Sequence, residues 1–261
     1  MSTTISLQDR TVGELAAEMP VSIRVFESWK IDYCCGGGMP LADACARAGK
    51  SVDDFAAAIA GAAVVPEGAA RDWSSESLTG IATHICDTYH RYTREELATL
   101  QPIAEKVLGV HGARHDELAG VLATVLDLAN DMLPHMLKEE QVLFPYVQQL
   151  EDASDEGRPA PTPFFGTVRN PVRMMMLEHD RVGELLARLR SLTDDYTLPH
   201  DACFSYRELY RRLAEFEERT HEHVHIENNV YFPRAIALEE HAGSTAVFAP
   251  AASGACGCSG H

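Results

Sequence analysis

Two copies of one His/Glu pair, His135-x-x-x-Glu139 and His223-x-x-x-Glu227, lie in segments whose apolar residues recur at helical spacing. Residues i and i+4 of an α-helix sit one above the other on the same face, so each pair aims an imidazole and a carboxylate at one point. The register puts that point in a core. Val121, Val125, Leu128 and Met132 lead at alternating steps of three and four to His135 and Glu139, and Leu209, Leu213, Phe216 and Thr220 lead in the same way to His223 and Glu227. That spacing is an apolar seam, and both pairs interrupt it at positions expected to be buried. Unpaired ionisable groups cost several kcal/mol to bury, and a metal ion would compensate them.

Four long helices are needed to place these residues, near 76–108, 115–149, 169–193 and 201–237. Val172, Met175, His179, Val182 and Leu186 form the seam of the third, and Cys86, His90, Leu97 and Leu100 share a face of the first. No strand pattern intervenes, so the reading is all-α, a four-helix bundle with a long, Pro- and Gly-rich second connection at 151–167. Pro134 falls inside the second helix, where Pro costs ~3 kcal/mol; because the seam resumes in register at His135, the helix is read as continuous. Ahead of the bundle, residues 1–65 read as a small helical domain, in which Thr11 and Glu14 form a capping box, Pro20 starts a second helix, Gly49 ends a third and Ser51 caps a fourth. Residues 61–75 read as a linker, 76–240 as the bundle and 241–261 as a flexible tail.

The 261 residues are 46% hydrophobic and 23% charged, with a formal net charge of -17. Such an acidic chain is repelled by nucleic acid and by anionic membranes, and no run of about 18 apolar residues suggests a membrane span. The first ten residues lack the apolar core of a secretion signal. With seven scattered cysteines, the expectation is reduced thiols in the cytoplasm.

Each of the four helices thus supplies one seam histidine, His90, His135, His179 and His223, and two add Glu139 and Glu227. Four imidazoles and two carboxylates suit two metal ions, two nitrogens on each and the carboxylates bridging, with first-row metals preferred and positions left open for O2, NO or water. A single histidine in a helix is more often a surface or satisfied core residue; the coincidence of two pairs with a seam histidine on each remaining helix favours ligands. His221 and His225 lie about 200° around the helix from His223 and His84 about 120° from His90, so these three are assigned to solvent or to the surroundings of a site. A ferritin-like centre uses E-x-x-H pairs, and here Glu222-x-x-His225 is off the seam without a partner pair. An oxygen-carrying hemerythrin has a further histidine where this chain has Gly183.

Asp32-Tyr33-Cys34-Cys35-Gly36-Gly37, then His90, His135-Met136-Leu137-Lys138-Glu139-Glu140 running into Leu143-Phe144-Pro145, Glu178-His179-Asp180, and His223-x-x-x-Glu227-Asn228-Asn229 before Phe232-Pro233 together resemble the repair-of-iron-centres (RIC) family. These are di-iron proteins of iron–sulfur cluster repair with an ScdA-type N-terminal module, and the resemblance spans about residues 7–237. It implies a hemerythrin-like bundle in which His90, His135, Glu139, His179, His223 and Glu227 hold two non-haem irons, Glu139 and Glu227 bridging. It further implies repair of clusters damaged by nitrosative or oxidative stress, with NO, O2 and damaged iron–sulfur proteins as partners, and leaves room for a homo-oligomer. A di-iron nitric oxide reductase and a hemerythrin-like O2 or NO sensor are the alternatives it carries.

Cys34 and Cys35 stand in a glycine turn ahead of a helix, where the dipole can lower a thiol pKa. Neighbouring Cα atoms are about 3.8 Å apart, short of the usual disulfide span, so the pair reads as a redox or metal relay, the alternative being two packed thiols. Cys45 and Cys203 read as core residues and Cys86 as a neighbour of His90. Cys256, Cys258 and His261 give the tail three soft or borderline donors, read as passive.

Overall fold

The computed structural model describes residues 7–62, 73 and 75–247. Four helices come first, α1 (Val12–Glu18), α2 (Val21–Trp29), α3 (Leu41–Arg47) and α4 (Val52–Ala62), after a single 3-10 turn at Leu7–Asp9. Thr11 and Glu14 cap α1 reciprocally, Ser51 accepts from the Asp54 amide at the start of α4, and Gly49 closes the turn after α3 with φ +68°. The core of this region is Val12, Leu15, Phe26, Tyr33, Leu41 and Phe55, with Phe26 stacked between Tyr33 and Phe55.

The remaining described residues make four helical rods. The first is α5 (Leu78–His84) and α6 (Arg91–His111), joined through a π-helical turn at Ile85–His90. The second is α7 (Glu117–Lys138) and α8 (Phe144–Asp155), joined through a π turn at Glu139–Leu143. The third, α9 (Arg169–Leu192), is uninterrupted. The fourth is α10 (Phe204–Ile226) and α11 (Phe232–Val247), joined by a π turn at Glu227–Tyr231. Among the described residues there is no β-strand, only an isolated bridge between Thr11 and Pro40. None of their helices is long and apolar enough to cross a membrane.

Two differences from the sequence reading stand beside one agreement, at Pro134. The long helices are broken by π turns because one extra residue is accommodated beside the site; after Glu139 the buried face consequently moves to Leu143 and Val147, leaving Val142 half-buried. Pro134 does lie within a continuous α7, on its exposed face, where water can take the carbonyl that Pro leaves without an amide. The last helix runs to Val247, beyond the expected start of the tail. Most of the 61–75 linker, together with Cys256, Cys258 and His261, lies outside the described residues.

The bundle has two apolar clusters. One contains Leu97, Val125, Met132, Val182 and Phe216; the other contains Tyr89, Phe144, Met175, Val230 and Phe232. Between them runs a polar layer made of the seam histidines and glutamates.

Candidate metal centre

All six residues singled out by spacing meet in this layer, and none is more than 3% exposed. They form two four-donor groups, His90, Glu139, His223 and Glu227 on one side and His135, Glu139, His179 and Glu227 on the other, with both carboxylates common to the two. Glu227 turns Oε1 to His223 Nε2 at 2.9 Å and Oε2 to His179 Nε2 at 3.1 Å. Glu139 Oε2 lies 3.4 Å from His90 Nε2 and 3.3 Å from His135 Nε2. A carboxylate that addresses two nitrogen pairs at once is placed to bridge two cations.

The outward ring nitrogens fix the tautomers. His90 Nδ1 lies 2.7 Å from Glu140 Oε1, which Arg94 also holds. His135 Nδ1 lies 2.8 Å from Glu178 Oε2, a carboxylate shared with Lys138. A carboxylate can only accept, so both rings donate from Nδ1. Asn228 gives its amide nitrogen to the Cys34 carbonyl and its oxygen to His179 Nδ1 at 2.9 Å, so His179 donates there too. In the neutral form that binds metal, all three Nε2 atoms are then bare lone pairs. Two of them, on His135 and His179, face each other at 3.0 Å, while His90 Nε2, both oxygens of Glu139 and Glu227 Oε2 have no hydrogen-bond partner although fully buried. Lone pairs converging on lone pairs and carboxylates repel unless positive charge sits among them. This donor set fits metal ions, with outer carboxylates and an amide orienting the rings as in many metal sites.

The electrostatics run the same way. Burial works against charging His90, but Cys86, Glu139 and Glu227 push it up to about 12. His179 is buried too, yet Glu227 and Glu139 raise it. Burial opposes the charge on Glu227, which His223, His179 and His90 nevertheless hold well below the ordinary carboxylate range. Only His223, whose Nδ1 has no partner and whose ring stacks on Tyr89, is pulled down, by burial. The two carboxylates make the layer a trap for cations.

Several neighbours differ from their sequence assignment. His225 and His221 do turn away from the centre, but towards the N-terminal helices rather than solvent. His225 is 2% exposed and packs edge-on against Tyr33, and His221 Nδ1 lies 3.0 Å from Glu27 Oε1. Cys86 stands beside His90 and Glu140, as its spacing suggests. Cys45 is buried, whereas Cys203 is exposed at the N-cap of α10, where its side chain makes no capping hydrogen bond. His84 packs edge-on against Tyr89.

The Cys34-Cys35 turn lies directly against the centre. Cys35 Sγ is 3.5 Å from the backbone oxygen of His179, and the two sulfurs are 3.9 Å apart, two free thiols with no disulfide between them. The expected lowering of a thiol pKa does not hold for Cys34: Cys35, burial and Asp32 all raise it, because the side chain is buried and faces a carboxylate instead of a helix end. Asn229, next to the Asn228 that orients His179, donates to the Tyr33 carbonyl at 2.9 Å. It also fills the space beside Gly13 and Gly37, where a Cβ would come within 2.3 and 2.5 Å of its oxygen.

Sequence comparison agrees with this arrangement. Residues 8–63 match the ScdA N-terminal family, described as a domain of unknown function, and residues 81–162 and 169–251 match the hemerythrin HHE cation-binding domain. A probable iron–sulfur cluster repair protein of Haemophilus influenzae is 32% identical over 239 residues, spanning 89% of this chain and 99% of that protein. The iron–sulfur cluster repair proteins YtfE of Salmonella schwarzengrund and Escherichia coli are each 35% identical over 235 residues, 90% of this chain and 100% of theirs. The chain belongs to the iron–sulfur cluster repair family. Its His/Glu layer falls within the cation-binding match, and its Cys-Cys turn within the ScdA match.

One further cluster escaped the sequence reading. His111, His115 and Asp201 bring ligand atoms together at the far end of the bundle. The signal was a His-x-x-x-His spacing at the end of a helix, but its partner lies 86 residues away in sequence.

Proposed function

We propose that this chain is a di-iron protein that repairs iron–sulfur clusters damaged by nitrosative or oxidative stress, in the cytoplasm, and that it does so by reacting with NO or reactive oxygen and supplying iron. The observation that carries the reading is the pair of Nε2 atoms of His135 and His179 facing each other at 3.0 Å beside two shared carboxylates, three of whose four oxygens have no hydrogen-bond partner. The iron–sulfur repair function named for the relatives gives the cargo and client. His90 and His223 would hold one iron, His135 and His179 the other, and Glu139 and Glu227 both. When bound, two ferrous ions supply electrons, open positions for a small molecule, and iron that can be given up.

The protein's own groups set the conditions for that chemistry. Glu140, Glu178 and Asn228 keep three imidazoles in the metal-binding tautomer and orientation. The apolar layers above and below, with Phe144 stacked on His90 and Phe232 stacked on His179, keep bulk water out. Cys34 and Cys35 serve as the relay at the module side, Cys35 being the more exposed thiol and the one in contact with the His179 backbone. Because the two donor groups share both carboxylates, turnover of NO by paired irons is the second reading.

Anaerobically iron-loaded protein incubated with an NO-damaged ferredoxin separates the two. Recovery of cluster absorbance with matching loss of iron from this protein supports repair by donation. Continuous consumption of NO under reductant, with iron retained and no ferredoxin recovery, would replace it with the reductase reading.

A further inference from the structure

We infer that the end of the bundle remote from the His/Glu layer carries a second, separate metal site, built from His111, His115, Asp201 and Cys203 for a borderline divalent cation of the Zn2+ class. It rests on nothing in the di-iron reading. About 21 residues of helix separate His90 from His111, roughly 30 Å at 1.5 Å per residue, so the two sites share no ligand.

His111 is the last residue of α6 and is 4% exposed; His115 sits in the turn that follows it. Asp201 and Cys203 come from the connection that leads into α10. His115 Nε2 is 3.0 Å from Asp201 Oδ1, and His111 Nε2 is 3.1 Å from Cys203 Sγ. Ligand atoms of His111, His115 and Asp201 all lie within 4.8 Å of one another. Around a tetrahedral zinc, with bonds of about 2.0–2.3 Å, neighbouring donors stand about 3.3–3.6 Å apart. The His115–Asp201 and His111–Cys203 contacts open to that spacing with shifts of a few tenths of an ångström, and the exposed Cys203, whose sulfur lies outside the 4.8 Å group, turns inward to complete the set.

The surroundings are those of a metal ligand set. His115 Nδ1 lies 3.2 Å from Glu117 Oε1, so the ring donates outward to a carboxylate and turns Nε2 to the cluster, the same orientation device seen at the di-iron layer. Tyr206 donates to that Glu117 oxygen at 3.1 Å and packs edge-on against both imidazoles, holding the rings in place. Arg114 occupies the second Asp201 oxygen at 3.3 Å, leaving Oδ1 for the ion. His111 Nε2 has only a thiol for company. Two nitrogens, one oxygen and one sulfur are the mixed donor set that suits Zn2+. Binding releases the Cys203 thiol proton to solvent, together with any second proton on His115. The ion would clip the turn after α6 to the connection before α10.

Cobalt is the probe, since it takes zinc-type sites and reports thiolate ligation by a charge-transfer band. Iron-loaded full-length protein is titrated with Co2+, and cobalt and iron are counted in the same sample. The expected result is one cobalt per chain with iron undiminished, and a thiolate band absent from Cys203→Ser. Cobalt affinity should fall by about tenfold or more in Asp201→Asn and in His115→Gln. Asp201 and Cys203 are surface loop residues, so their variants test the site even if His115→Gln misfolds. Cobalt bound only as iron is displaced, or retained with equal affinity by Asp201→Asn, would overturn the site and leave His115 as a link between Glu117 and Asp201. A thiolate band that survives Cys203→Ser would place the cobalt elsewhere.

Discussion

At the ligands, the shared carboxylates are expected to matter most. Glu139→Ala or Glu227→Ala removes a donor from both four-residue groups at once, so iron analysis of either variant should find both ions lost. His221→Ala and His225→Ala should keep full iron, since both rings face the N-terminal helices; iron loss in His225→Ala equal to that in His223→Ala would undo the assignment. Glu178→Ala and Asn228→Ala leave every proposed ligand in place but free a ring to turn, and should weaken iron binding by about 10–100-fold in a chelator competition. The six inner residues were legible in the sequence because seam periodicity and burial coincide there. The orienting partners were legible only as chain neighbours of ligands, because each acts across helices: Glu140 on His90, Glu178 on His135, Asn228 on His179. The lowered thiol pKa expected of Cys34 and the core position expected of Cys203 did not hold, since both sit outside helices, where no periodicity reports which way a side chain points.

The helices themselves were recognisable, but their π turns were not. Glu139 and Glu227 each open one, and each is followed six positions later by proline, Pro145 and Pro233, near the start of the next helix. A proline lacks the amide that an α-turn would use, and a widened turn with one extra residue accommodates it; such bulges concentrate at functional sites. Deleting Gln141 should therefore restore regular α-helix and keep the far-ultraviolet helical signal, while rotating Glu139 against its partners and abolishing iron binding. Retained iron in the deletion would mean that the bulge has no part in aiming the carboxylate. At the start of the first rod, Glu151 accepts from the Leu78 and Thr79 amides and the Thr79 hydroxyl, closing free donors that a helix start leaves open. Glu151→Ala should cost about 1–2 kcal/mol in chemical denaturation. Although burial opposes its charge, those bonds lower the Glu151 pKa. Its contribution is thus present above the unfolded value of about 4.3 and lost as pH falls through the lower folded value; the variant should lack that part of the acid dependence.

For the whole molecule, the N-terminal helices and the bundle meet through Glu27, which accepts from Tyr33 and pairs with His221, through Asn228 and Asn229 on the Cys34 and Tyr33 carbonyls, and through Lys30 with Asp195. Burial opposes charge on both members of the first pair, yet each partner overrides it: Glu27 is lowered by His221 and Tyr33, and His221 is raised by Glu27. The His221 contribution is complete below its unfolded value of about 6.5 and is lost as pH rises through the higher folded value. The Glu27 contribution is present above about 4.3 and lost as pH falls through the lower one. Docking should be tightest between those limits, and the reaction rate of Cys35 with a thiol reagent should rise on the alkaline side more than thiolate formation alone makes it; His221→Ala should remove that excess. Sequence patterns located both regions but not this junction, because its contacts join residues more than 160 positions apart and none repeats with a helical period. With every metal-facing side chain at most 3% exposed and the Cys-Cys turn seated on the His179 backbone, an acceptor has no direct path to a bound ion. Delivery under the proposed function is then a kinetic matter: the protein must first open by itself, at a rate that no acceptor can hasten, so the velocity of iron transfer should level off as acceptor is added and should follow whatever loosens the junction.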